Sequence, residues 1–219
     1  MFFHGGSGDR RPATDGTSLN HGSLSLHAPN GAEAADTYVS DPVEPVPVLG
    51  GGWLGSPNGP YDQRPIEGRC LTFTSAPLQA DLEVTGPVTA TLFVMSTAPD
   101  ADWVVRLSDV SPDGVSRLVA DGVLRSRYRH SRQRQELLRP NEVAQVTVDL
   151  WATSNMFMAG HRLRVAVSSS CFPRWDVNLQ TGGKFGQEVA GQVALNTIFH
   201  DAFRPSHITL SVRGAAPRM

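Results

Sequence analysis

The residues able to do chemistry are scattered in this sequence, and their spacing excludes more than it offers. Acyl transfer by a serine of the α/β-hydrolase type needs a strained G-x-S-x-G elbow between a strand and a helix. The nearest string, Gly5-Gly6-Ser7-Gly8-Asp9, lacks the last glycine and has no helical pattern behind it. Ser168-Ser169-Ser170 ends an alternating segment, where hydroxyls bond locally to the backbone. The histidines (His4, His21, His27, His130, His161, His200 and His207) show no metal-ligand spacing, and Cys70 and Cys171 form no close pair. His200-Asp201 with His207 is the one local imidazole–carboxylate cluster and reads as loop chemistry. Asp100-Ala101-Asp102 stands before a strand. Such carboxylates could bind calcium with loop carbonyls, or hold a turn through backbone hydrogen bonds, and the second reading is preferred. No glycine-rich loop is followed by Lys and Ser/Thr, so nothing supports nucleotide binding. The assignment is no catalytic residue, no metal and no cofactor.

Binding chemistry has two candidates. Arg125 to Arg134 carries five arginines and Tyr128. At strand period Arg125, Arg127 and Arg129 share one face, with Ser126 and Tyr128 opposite, which reads as a solvated or partner-facing strand and not as a nucleic-acid site. The aromatics Trp53, Tyr61, Trp103, Trp151, Phe172 and Trp175 could build a sugar platform, although aromatics on alternating strands usually face a core. Trp53 and Trp175 differ from the rest, because both sit in loop-like sequence beside glycine and proline.

The elements that must hold these residues are short strands. Gly and Pro number 21 and 16 in 219 residues, well above the usual share, which implies many turns. Alternation marks strands at Ser23–His27, Asp36–Val39, Leu71–Ser75, Asp81–Thr85, Val88–Met95, Trp103–Val110, Val115–Ala120, Val123–Tyr128, Val143–Leu150, Leu163–Val167 and Ile208–Val212. Gly86-Pro87, Ser111-Pro112-Asp113-Gly114 and Asp121-Gly122 read as turns between them. Helical spacing is scarce, with a turn or two possible over Glu188–Asn196. About ten strands with turns at this rhythm predict an all-β sandwich with one wet face, formed as a single domain. Residues 1–60 form its loop-rich N-terminal edge and residues 61–219 its core. A net charge of −2 gives no general attraction to nucleic acid or an anionic membrane. No apolar run is long enough to span a bilayer, no leader pattern is visible, and two cysteines fit a reducing compartment, so a cytoplasmic location is expected.

Two stretches are more specific. One runs Asp62-Gln63-Arg64-Pro65-Ile66, then Leu71-Thr72-Phe73-Thr74-Ser75, Pro77-Leu78 and Leu82 to Val88. The other runs Ser154 to Val165, then Ser168-Ser169-Ser170-Cys171-Phe172-Pro173-Arg174-Trp175-Asp176 and Thr181-Gly182. Together they resemble the C-terminal domain of X-Pro dipeptidyl-peptidase and cocaine-esterase-like hydrolases, the CocE/NonD family, over about Phe2 to Val212. Gln180 and Ser211 depart from the asparagine and proline common at those places in the family.

The resemblance implies a jelly-roll-like, galactose-binding-like sandwich that packs on an α/β-hydrolase domain and lines its substrate cleft. It carries no catalytic residue into this chain, because the family's triad lies in the hydrolase domain. On this reading the loop carrying Trp53 and Leu54 lies nearest the cleft, and Trp175 is a further candidate for the substrate wall or the interface. Arg125, Arg127 and Arg129 meet carboxylates of the partner domain. Asn178 belongs to a polar segment, up to Gly183, that is either a junction network or a turn locking two strands. The alternative is a stand-alone carbohydrate- or ligand-binding module, and self-association into a homo-oligomer is a further possibility.

Overall fold

The computed structural model describes residues 1–6, 18–52 and 59–214. Eleven strands are formed in that part: β1 (Phe2–His4), β2 (Gly22–Ser25), β3 (Asp36–Ser40), β4 (Leu71–Ser75), β5 (Leu82–Ser96), β6 (Asp102–Val110), β7 (Ser116–Arg125), β8 (Ala144–Phe157), β9 (Arg162–Ser168), β10 (Ala194–Phe199) and β11 (His207–Arg213). One short helix, α1 (Arg64–Glu67), has a proline in its first turn, where a missing N–H costs nothing. The strand order is β3-β10-β5-β11-β1-β2-β4-β9-β6-β7, with β8 on the other side of β5. Every pairing is antiparallel except β2 with β4.

The chain folds this path over one core. Val84, Val88, Ala90, Leu92 and Val94 of β5 alternate inward, joined by Val146, Val148 and Leu150 of β8. Opposite them stand Trp103, Val105 and Leu107 of β6, and Leu163, Val165 and Val167 of β9. Each such side chain contributes about 1.5–3 kcal/mol when removed from water. The all-β sandwich read from the alternation is the fold found, and helix is as scarce as expected. No helix among the described residues is long and apolar enough to cross a membrane.

Three local expectations are corrected. Gly86-Pro87 is not a turn: β5 runs through it as one strand, and the irregularity is taken up by its neighbours. Opposite Val88, β8 inserts an extra residue, placing Trp151 at φ 66° with its N–H on Asp149 Oδ1. Gly86 itself sits at φ 134°, where any side chain would meet Ser211. Asp121-Gly122 is likewise interior to β7, not a break. The glycine is there because β7 crosses β8 closely: a Cβ at position 122 would lie 2.0 Å from the Asp149 carbonyl oxygen. Glu188–Asn196 holds no helix, its last residues being β10.

The expected wet face is also absent from β6. Between the core-facing residues, Asp102, Val104, Arg106 and Ser108 are buried too. A strap over Asp41–Gly52 and α1 cover that outer face, where Val46, Ile66, Cys70 and Ala166 form a second small core. Pro47 bridges to Phe172, and Gln63 Nε2 donates to the Leu49 carbonyl at 2.7 Å, fixing strap and helix to the sheet.

Gly122→Ala should lower stability by about 2–3 kcal/mol through backbone displacement at the β7–β8 crossing. The urea midpoint should fall while far-ultraviolet dichroism stays β-like.

Candidate functional site

Two carboxylates at the head of β6 organise the region where the sequence placed its candidates. Asp100 and Asp102 are 0% and 4% exposed. Strand alternation sends i and i+2 to the same side, so both charges enter one volume and need partners there. Asp102 lies directly across from Arg125 in the β6–β7 pairing. Arg125 clasps it with two bonds of 2.8 and 2.9 Å. Arg127 donates its side-chain Nε to Asp100 at 2.7 Å and its backbone N–H at 3.0 Å. Asn178 Nδ2 lies between the two carboxylates, 3.0 Å from Asp100 and 2.7 Å from Asp102. Burial pushes the Asp102 carboxyl above its ordinary range, against the pull of Arg125 and Asn178.

The same guanidinium groups hold a loop. Arg125 also donates to the Asp176 carbonyl at 3.1 Å, and Arg127 to the Gly183 carbonyl at 2.8 Å. Asn178 Oδ1 accepts the Gln180 N–H at 2.8 Å. The segment from Asp176 to Gly183 is thus pinned to the ends of β6 and β7, which makes it a strand-locking network inside this chain.

Above this base lies an aromatic rim. The Arg174 guanidinium pairs with Asp121 and stacks 4.4 Å over the half-buried Trp175. Arg125 stands 5.5 Å over Phe185, which is 59% exposed. The strap reaches the same rim, since a Cβ on Gly51 would meet Arg174 and Asp121. Glycine's positive φ of 86° lets the backbone pass this close.

Among the described residues no serine hydroxyl is bonded to an imidazole, and no group of three His, Cys, Asp or Glu side chains could hold a metal ion. His200 is buried with both ring nitrogens on carboxylates, 3.2 Å from Glu33 and 3.0 Å from Asp36. Asp201 pairs with Arg204, and His207 bonds the Pro205 carbonyl. The expected His200–Asp201–His207 cluster is therefore three separate contacts.

Residues 6–209 match the family described as the X-Pro dipeptidyl-peptidase C-terminal non-catalytic domain. The chain belongs to this family. It is 43% identical over 217 residues to the cocaine esterase of Rhodococcus sp. (strain MB1 Bresler), covering 96% of the chain and 37% of that protein. An aminopeptidase from the marine sediment archaeon Thaumarchaeota archaeon has a similar structure, with a TM-score of 0.80 and 28% identity, over 98% of this chain and 37% of the other. An α-amino acid ester hydrolase gives 0.81 and 29%, over 97% and 36%. The chain spans little more than a third of the length of these relatives.

In this C-terminal domain the sequence-predicted residues divide as follows. Arg125, Arg127, Asn178 and Trp175 lie around one loop, whereas Trp53 and Leu54 fall outside the described residues. The shared arginine strand face is corrected. β7 ends at Arg125, and Ser126–Tyr128 forms a turn of 3₁₀ helix, so the three arginines diverge. The turn is fixed by Ser126, whose hydroxyl accepts the Trp103 indole N–H at 2.8 Å. Arg129 reaches Glu136 at 2.6 Å. All three guanidiniums pair with carboxylates of their own chain. Asp100 and Asp102, which in sequence suggest a turn or a calcium site, are the acceptors of two buried arginine pairs. The overlooked signal was their D-x-D spacing beside the R-x-R of Arg125 and Arg127.

Asp100→Ala leaves Arg127 buried without its partner and should cost about 3–5 kcal/mol, measured by denaturant unfolding. Asp102→Asn, which keeps the shape and one acceptor, should cost less. His200 gives a pH signature. Burial disfavours its charged form, but Asp36 and Glu33 outweigh that and hold its pKa above the ordinary value. The charged form's stabilisation is complete below about pH 6.5 and is lost as pH rises through the folded-state pKa. His200→Gln should flatten the fall in stability on that alkaline limb.

Proposed function

We propose that this chain is the module that packs against an α/β-hydrolase domain and helps to line its substrate cleft. The parent activity would be cleavage of esters or Xaa-Pro peptides through an acyl-enzyme. The observation that carries this reading is the near-complete match of the chain to about a third of a cocaine esterase and of an α-amino acid ester hydrolase. The ester hydrolysis named in those relatives would be carried out by the part of such proteins that this chain does not match; among the described residues every imidazole–carboxylate contact is formed without a serine.

The rim of Trp175, Phe185 and the strap end at Gly50–Gly52, continuing in sequence to Trp53 and Leu54, is the part proposed to face the cleft. An apolar wall suits an acyl or aryl substituent, since burial of such a group drives binding without any charge. The Asp100–Arg127 and Asp102–Arg125 pairs would act at one remove, by keeping the Asp176–Gly183 loop rigid beneath that wall. A cytoplasmic site of action and association into a homo-oligomer belong to the same proposal.

The test is a chimera in which this chain replaces the matching third of the Rhodococcus cocaine esterase. The chimera should hydrolyse a phenyl ester, and the 219-residue chain alone should not. Trp175→Ala in the chimera should raise KM about tenfold with kcat little changed, as expected for lost apolar binding. Ester hydrolysis by the chain alone, blocked by a serine-reactive phosphonate, would overturn the reading.

A further inference from the structure

The strap does not lie flat on the sheet. Between its Asp41–Val46 half, β3, the Gly68-Arg69 corner and Ser168–Ser170 is a cavity of about 480 Å³. That is within the size range of small-molecule sites, roughly 300–1,000 Å³. It is separate from the aromatic rim, which involves the other end of the strap. We propose that this cavity is a binding site for a neutral polyhydroxylated molecule of monosaccharide size.

The chemistry of the wall selects that class. Its buried polar groups are hydroxyls. Ser169 Oγ lies 2.7 Å from Tyr38 Oη and receives the Asn196 amide at 2.8 Å. Two hydroxyl protons meet on that short path and only one can be used within it, so the other is available to donate. Ser170 Oγ accepts the Val46 N–H at 2.7 Å, and its own proton has no acceptor among the described residues. Burial raises the Tyr38 pKa, so the phenol stays a neutral donor throughout the physiological range. Paired donors and acceptors of this kind match the hydroxyls of a sugar or polyol, each of which both gives and takes a hydrogen bond.

Polar capacity is also left unspent in the supporting layer. Among the described residues four buried side-chain polar atoms have no partner. Two of them, Asn196 Oδ1 and Gln180 Oε1, belong to amides that anchor cavity residues, through Ser169 and the Ser40 carbonyl. Buried polar groups are rarely left so without a reason at that place.

The remaining lining argues against charged ligands. At the mouth stand Asp41 and Glu44 with Arg69, whose guanidinium is already engaged by the Glu44 carbonyl. At the mouth, two carboxylates to one guanidinium repel a phosphate or carboxylate ligand, and the buried Arg106 behind the wall already spends its N–H groups on Ser168 Oγ and the Ser170 carbonyl, at 2.8 and 3.1 Å. No carboxylate lines the cavity at depth, and the Asp102 charge behind Tyr38 is already paired with Arg125, so an ammonium group has no free counter-ion there. Leu19, Val39 and Val46 provide the apolar surface for the C–H face of a ring.

The proposal is tested with the 219-residue chain by saturation-transfer NMR and calorimetric titration. The probes are methyl β-D-galactopyranoside, methyl α-D-glucopyranoside and xylitol, with inorganic phosphate and ethylammonium as charged comparators. At least one neutral probe should bind with a Kd on the order of 1 mM. Ser169→Ala should weaken it about fivefold or more, and so should Glu44→Gln, since the mouth carboxylate can accept ligand hydroxyls at both oxygens and an amide at only one; Val189→Ala, fully exposed elsewhere, should leave it unchanged. Glu44 is exposed, so its variant keeps the test open if the buried Ser169 substitution unfolds the chain. No saturation transfer to any neutral probe would overturn the proposal. So would affinity unchanged in Glu44→Gln and Tyr38→Phe, or tighter binding of phosphate or ethylammonium.

Discussion

Buried carboxylates that must not stay unpaired govern this structure. Placing Asp100 and Asp102 at the head of a strand with both faces covered would be costly without cations on the same side. The pairing of β6 with β7 brings Arg125 into register opposite Asp102, and the 3₁₀ turn that follows swings Arg127 onto Asp100. These contacts leave the guanidiniums with spare N–H groups, and the spare groups fix the loop from Asp176 to Gly183. A loop that sequence composition would leave mobile is thereby tied down by charge neutralisation. Such pairs add little net stability over an apolar filling, so their value here is in specifying one loop conformation.

Covering the outer face of β6 and β9 has a second consequence. An ordinary sandwich strand has one dry and one wet side. Here the strap and α1 occupy the wet side, and their fit is made through specific polar anchors as well as through the small core of Val46, Ile66, Cys70 and Ala166. A strap held at a few points leaves space at others. One end of it reaches the Arg174–Trp175 stack, and the other roofs the hydroxyl-lined cavity. Both features that could meet a ligand or a partner thus come from the same irregular segment lying on a regular sheet, as is usual for functional surfaces.

The titratable groups at this site are spent on one another. Asp100 and Asp102 are neutralised by Arg127 and Arg125, and the imidazole of His200 spends both nitrogens on carboxylates. Neither group is left with the unsatisfied valence that proton transfer needs. What remains outward among the described residues is aromatic surface at Trp175 and Phe185.

Much of this was legible in one dimension. Strict alternation in segments such as Leu71–Ser75 and Trp103–Val110 identified strands because a buried face must repeat every second residue. The same rule failed where a third element intervened. Gly122 resembles a turn residue, yet it is a glycine because β8 passes over it; Gly86-Pro87 resembles a turn, yet neighbouring strands absorb the irregularity. Arg125, Arg127 and Arg129 look like one face only if the strand continues, and what stops it is the Trp103 indole, distant in sequence, bonding Ser126. The sequence alone determined the strand content, the family and the absence of a nucleophile elbow, since these depend on local pattern and motif. Tertiary structure alone decided which charges pair, which face is covered and where a cavity opens, because each depends on the distance between segments that no local pattern encodes.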